Sequence, residues 1–222
     1  LLDAPDMRDR QWAKLKTRLA EAHASSPYWR KRLEQANATP ADLGSWDDFA
    51  RRVPVFTKQD YRELADSQGG DLQAILAQLM GPASRELKAV ATTSGTSSDP
   101  TPYALTERDL RLWGELVRRT VWRAGLRPGD YVLQGFGLSM FLAGVPVCMA
   151  LAEMGICAIP VGAEAGTASL LKHARLFRPR GFFCTPSLAE YLIQTGEAEG
   201  VDLRSFGIDA IFCGGEPGAG IA

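Results

Sequence analysis

Residues 91–103 read Ala-Thr-Thr-Ser-Gly-Thr-Ser-Ser-Asp-Pro-Thr-Pro-Tyr, a run of hydroxyls around one central glycine. Short hydroxyls and neighbouring backbone N–H groups can wrap phosphate oxygens with no bulky side chain in the way. By composition alone, an ordinary surface turn is the commoner source of such a segment. Its position changes that balance, because an apolar strand-like run, Leu87–Thr92, leads directly into it. Two further glycine-bearing segments follow strand-like runs: Gly135-Phe136-Gly137 after residues 130–134, and Gly214-Gly215-Glu216 after residues 208–213. Glycine at such places lets backbone come close to a ligand. The three loops have hydroxyl, aromatic and acidic character, as the parts of one composite pocket would.

The elements that must position these loops follow from periodicity. Residues 7–35 read as helix, with Trp12, Leu15 and Leu19 on one face, interrupted at Ser26-Pro27, where a second helix starts. A short helix is predicted after Pro40, an extended segment at residues 53–56, and a helix opened by a Thr57/Asp60 capping box. Residues 71–80 form the next predicted helix. From Leu87 onward the pattern alternates. A second capping box, Thr106 with Asp109, opens a helix that carries Leu110, Trp113, Val117 and Val121 on one face as far as Gly125. Strands are predicted at residues 130–134, 156–161, Gly181–Cys184 and 208–213, separated by helices at 144–154, Thr167–Phe177 and 186–197. Strands alternating with helices imply an α/β fold, a mainly parallel sheet with crossover helices behind a helical N-terminal segment. The expected division is a helical region at residues 1–86 and an α/β region at residues 87–222. Ligands of such sheets collect at the carboxyl ends of the strands, where the three loops lie.

Composition narrows the partners. A chain of 222 residues with 45% apolar and 23% charged residues can bury a sizeable core. A net charge of −1 gives no electrostatic case for nucleic acid or for an anionic membrane. The basic clusters Arg30-Lys31-Arg32 and Arg118-Arg119 fall on helix-like segments and read as solvated faces. No apolar run reaches the ~18 residues of a membrane span, and no signal peptide opens the sequence. The four cysteines, Cys148, Cys157, Cys184 and Cys213, lack metal-ligand spacing and read as buried free thiols in a reducing cytoplasm. His23 and His173 have no metal-spaced partner, Cys213 has no evident histidine base, and Tyr28-Trp29 reads as packing. Glu153 and Glu190 are expected on exposed helix faces. No metal site and no catalytic side chain is assigned from spacing.

Taken in order, these segments resemble the adenylate-forming superfamily of acyl-CoA synthetases and ligases, and within it the phenylacetate–CoA ligase family. The hydroxyl series 93–101 resembles the superfamily's phosphate loop. The segment Val53-Pro54-Val55-Phe56-Thr57-Lys58-Gln59-Asp60, residues 103–109, Arg127-Pro128-Gly129-Asp130, Gly135-Phe136-Gly137-Leu138 with Phe141 and Gly144, Thr185-Pro186-Ser187 and Gly214-Gly215-Glu216-Pro217 match in order and spacing. The resemblance implies attack of a carboxylate on the α-phosphate of ATP, giving an acyl-adenylate, followed by transfer to the thiol of coenzyme A, with Mg²⁺ accompanying ATP. It implies that Thr93, Ser94, Gly95, Thr96, Ser97, Ser98 and Thr101 cradle the phosphates. It places Gly214, Gly215, Glu216 and Pro217 beside the adenine, and Phe136, Gly137, Phe141 and Gly144 beside the tail of the acid, with an aromatic acid favoured. A cytoplasmic location is expected, and a homodimer is left open.

The sequence departs from the family pattern where a cation would face the outer phosphates: Asp99 stands there, and a carboxylate repels a polyphosphate unless Mg²⁺ intervenes. Ser98 replaces the commoner glycine, stiffening the loop. The family's later motifs, which would follow Glu216, are not in these residues, so these 222 residues are expected not to complete adenylation alone. Delivery of the acyl group to a carrier-protein thiol or an amine, or a non-catalytic nucleotide- or partner-binding role, are the competing readings.

Overall fold

Serine 26 explains why the first long helical pattern breaks in two. Its buried hydroxyl accepts the Trp29 N–H at 3.1 Å, capping the second helix, and donates to the Gln78 carbonyl at 2.9 Å. The structure, a computed structural model, describes residues 4–93 and 101–218. It contains two compact units, 1–88 and 89–222. The first is helical, with α1 (Ala4–Ser25), α2 (Pro27–Gln35), α3 (Trp46–Arg52), α4 (Lys58–Ser67) and α5 (Leu72–Met80). Leu19, Leu33, Ala38 and Leu43 form a buried cluster with Trp12, Leu15, Phe49 and Val53 packed against it.

The helix expected after Pro40 begins later than its sequence suggests. The Asp42 carboxylate accepts the Thr39 N–H at 3.0 Å and closes a turn, and Ser45 then caps α3 by accepting the Asp48 N–H at 3.1 Å. Thr57 and Asp60 form the expected capping box at α4.

After the five helices, β1 (Leu87–Thr92) pairs with β2 (Pro102–Thr106) as a two-stranded sheet. After α6 (Glu107–Arg123) come β3 (Tyr131–Gln134), α7 (Val145–Glu153), β4 (Cys157–Pro160), α8 (Thr167–Phe177), β5 (Gly181–Cys184), α9 (Pro186–Ala198) and β6 (Ala210–Cys213). The last four strands form a sheet in the order β4-β3-β5-β6 with every neighbouring pair parallel. The register sets Val132 opposite Gly181, Leu133 opposite Phe182, and Phe183 opposite Phe212.

Side chains alternate across the pleat, so the sheet has two apolar faces. Val132 and Phe183 pack with Val117, Val121, Val147 and Leu151 from α6 and α7. Leu133, Phe182 and Cys184 pack with Leu170, Leu171 and Leu192 from α8 and α9. Arg180 ties the strand starts together: it donates to Asp130 just before β3 and to Asp209 just before β6, each at 3.0 Å.

One expectation fails here. Cys184 in the inner strand β5 is fully buried, but Cys157 and Cys213 are exposed. Their strands, β4 and β6, are the two outer strands of the sheet, so an apolar run at these places does not imply cover on all sides. Among the described residues, no helix is long and apolar enough to cross a membrane.

Candidate functional site

The carboxyl ends of β3, β5 and β6 open into a cavity of about 610 Å³, within the range of small-molecule sites. The face of α6 carrying Trp113, Leu116, Val117 and Thr120 supplies one wall; Phe136, Gly137 and Phe141 supply a second. Thr185, Gly214 and Gly215 close a third, with Phe183 and Phe212 below. The Phe183 and Phe212 rings stack at 4.4 Å between centroids, and Phe136 meets Phe183 edge-on at 6.5 Å. Three aromatic rings thus make a continuous apolar floor.

The loop after β3 is shaped from beneath by Gln134, a buried side chain that the sequence reading passed over. Its amide donates to the Ala143 carbonyl at 2.8 Å, and its oxygen accepts the Phe136 N–H at 3.1 Å. One side chain therefore pins both ends of the loop. Gly137 and Gly144 are needed for its closure. A Cβ on Gly137 would stand 2.9 Å from the Phe141 ring and 3.0 Å from the Glu164 carboxylate, and a Cβ on Gly144 would run into the Gly137 carbonyl. Glu164 holds the outer side of the loop by accepting from the Ser139 N–H at 3.2 Å and from its hydroxyl at 2.9 Å. Met140 at the loop tip has φ of 55°, a left-handed conformation that a non-glycine residue adopts at a cost.

That strained residue joins two of the sequence-predicted segments, because the Met140 carbonyl accepts the Thr92 N–H at 2.7 Å. The stem of the hydroxyl loop is closed by a reciprocal pair: Thr93 N–H donates to the Thr101 carbonyl, and Thr101 N–H donates to the Thr93 hydroxyl oxygen, both at 3.1 Å. The Thr93 hydroxyl accepts here and keeps its own proton to donate. Ser94, Gly95, Thr96, Ser97 and Ser98 lie outside the described residues, as does Asp99.

The third loop is held by its acid. The Glu216 carboxylate accepts the Ser187 N–H at 2.6 Å, at the start of α9, where Thr185 already caps the Leu188 N–H at 3.2 Å. Hydrogen bonds from the Ser187 hydroxyl and then the Ser187 N–H hold this carboxyl below the usual glutamate range. Gly214 and Gly215 face the cavity, whereas Glu216 and Pro217 line an adjoining groove with Pro186 and Cys213. The structure therefore brings Phe136, Gly137, Phe141, Gly214 and Gly215 around one space. Gly144 is set behind it, and Thr93 and Thr101 are not among the cavity's described lining. His23 approaches Glu34 at 3.4 Å, and His173 sits against the Ser169 carbonyl and stacks on Phe177. Tyr28, Trp29 and Phe56 form an aromatic cluster.

No family model matches the sequence. Among curated proteins, the chain is 28% identical over 211 residues to a phenylacetate–coenzyme A ligase of Thermus thermophilus, covering 95% of this chain and 45% of that protein. It is 27% identical to the phenylacetate–coenzyme A ligase of Pseudomonas putida with the same coverage, and 28% identical to that of Escherichia coli over 202 residues, covering 87% of this chain and 43% of the ligase. Among solved structures, 2-hydroxyisobutyryl-CoA ligase in complex with 2-HIB-AMP and CoA superposes with a TM-score of 0.85 at 28% identity, covering 98% of this chain and 45% of that one. Its open conformation gives 0.86, covering 99% and 50%. The chain thus spans under half the length of the curated relatives it matches. With the ordered motifs and the parallel sheet, these likenesses show that the chain is similar to adenylate-forming acyl-CoA ligases, the phenylacetate–CoA ligases among them.

Proposed function

We propose that these residues form the nucleotide- and acyl-binding part of an AMP-forming acid–thiol ligase. The enzyme activates a carboxylic acid, an aryl acid by preference, with ATP and passes the acyl group to coenzyme A. The observation that carries this reading is the aromatic-floored cavity walled by loops after β3, β5 and β6. Phe136, Phe183 and Phe212 would take the flat tail of the acid, with α6 closing over it. Gly214 and Gly215 would leave room for the nucleotide base, and Gly137 would let the acyl-adenylate pass close to backbone. Glu216 and Pro217 would act from behind, fixing that loop onto α9. Gly144 would serve by allowing the Phe136 loop to close.

For the phosphates, the reading relies on the segment 93–101. Thr93 and Thr101 hold its base, and the hydroxyls and N–H groups of Ser94, Gly95, Thr96, Ser97 and Ser98 would stabilise charge on the transferring group. Among the described residues no group of three or more His, Cys, Asp or Glu forms a metal cage. Mg²⁺ would enter on the phosphates of ATP, a mode that needs no such cage, and no residue here is assigned to it. The test is calorimetric titration with a non-hydrolysable arylacetyl-adenylate mimic. Micromolar or tighter binding, lost when Phe136 and Phe212 are both replaced by aspartate, is the expected outcome. Absence of binding to this chain overturns the reading.

A further inference from the structure

We infer that Cys184 and Cys213 form a dithiol site that a low-molecular-weight disulfide closes into an intrachain disulfide. The strand register places the two thiols together. The strands β5 and β6 are adjacent and parallel, and their register pairs Cys184 with Cys213. Paired residues of neighbouring strands lie about 4.8 Å apart and present their side chains on the same face. That spacing falls within the roughly 4.4–6.8 Å between Cα atoms that a disulfide spans. Finally, Cys184 is fully buried in the inner strand while Cys213 is exposed on the outer one, on the wall of a groove of about 700 Å³ with Pro186 and Glu216.

This asymmetry orders the chemistry. Cys213 attacks one sulfur of the external disulfide, forming a mixed disulfide and releasing one thiol, which carries away the Cys213 proton. Cys184 then attacks the Cys213 sulfur; the Cys184–Cys213 bond forms, and the second thiol leaves with the Cys184 proton. Two cysteines are oxidised and one external disulfide is reduced to two thiols. With no exposed surface, Cys184 does not meet the external disulfide first; burial, and next the neighbouring Cys213 thiol, also hold its thiol above the usual cysteine range. Because Thr185 and Gly214 follow the two cysteines directly, the bond joins the bases of two loops that wall the cavity.

Cys157 is the internal control. It is also exposed but lies in β4 at the opposite edge of the sheet, with two strands between it and β6. Native protein is treated with oxidised glutathione in mildly alkaline buffer, its free thiols are alkylated, and its peptides are mapped by mass spectrometry. The expected map shows a Cys184–Cys213 linked peptide, with Cys157 carrying glutathione. In Cys184→Ser, Cys213 should retain glutathione; in Cys213→Ser, Cys184 should stay unmodified. Cys213 left as a mixed disulfide in the unsubstituted chain, or linkage only after denaturant is added, overturns the proposal. The map is read without any nucleotide, so it stands or falls separately from the ligase reading.

Discussion

Two neighbouring loops of the cavity are anchored by side chains with opposite physics. The loop after β3 is held by Gln134, a neutral amide with no exposed surface that bonds Phe136 at one end and Ala143 at the other. The loop after β6 is held by Glu216, an exposed carboxylate on the Ser187 N–H. A buried neutral tie is insensitive to salt and pH, and removing it leaves partners unpaired away from water. An exposed charged tie is weaker, because water competes for it, and it can be titrated away. The first loop is thus built as a fixed wall and the second as one that releases.

The sharpest way to break this contrast is Gln134→Leu. The substitution keeps the volume but strips the Phe136 N–H and the Ala143 carbonyl of their partner. Two orphaned groups cost about 2–4 kcal/mol, and urea denaturation should show a loss of that size. A loss below about 1 kcal/mol would mean that water replaces the amide and that the wall is not fixed from below. Next in size is Gly144→Ala. The added methyl meets the Gly137 carbonyl, backbone that cannot swing aside, and should cost about 1–3 kcal/mol in the same measurement.

These two positions also show what the sequence could and could not disclose. The strands of the parallel sheet and most helices were legible, because apolar runs and capping pairs such as Thr106 with Asp109 are local signals, whereas β2, framed by Pro100 and Pro102, was not. The loops at the carboxyl ends of the strands were legible for the same reason. Gly137 stood out because glycine near a strand end marks a close approach. Gln134 did not, since a single amide at the end of an apolar strand looks like the first residue of a loop. Only the fold reveals that Ala143 and Phe136 converge on it. Cys213 was misjudged because an apolar run cannot say whether its strand is inner or outer. Met140 was silent too: nothing local foretells a left-handed methionine whose carbonyl reaches Thr92.

A smaller effect should separate floor from frame. Phe136 is half-buried and packs edge-on against Phe183, so its removal should spare the fold more than Gln134→Leu does. Phe136→Ala should weaken the arylacetyl-adenylate mimic about tenfold, or ~1.4 kcal/mol, by calorimetry. The stability loss should remain below that of Gln134→Leu. If stability falls as far while affinity is unchanged, Phe136 belongs to the frame and the cavity floor lies elsewhere.

The mildest and most diagnostic change concerns Glu216. Its carboxyl sits below the ordinary glutamate value of about 4.3 because the Ser187 hydroxyl and N–H favour the ionised form. A depressed folded value means that the tie contributes fully above the ordinary value and is lost as pH falls through the lowered one. Affinity for the mimic should therefore be flat from neutrality down to the ordinary carboxylate range and decline only below it. Glu216→Gln keeps an acceptor for the Ser187 N–H but not the charge, so it should cost about threefold in affinity at neutral pH. It should also remove the acid-side decline that belongs to this loop, while leaving the urea midpoint within error. Gln134→Leu should behave in the reverse way, with a large loss of stability that does not change with pH. If Glu216→Gln instead unfolds the chain, the β6 loop is as rigid as its neighbour and the division into a fixed wall and a releasable one fails.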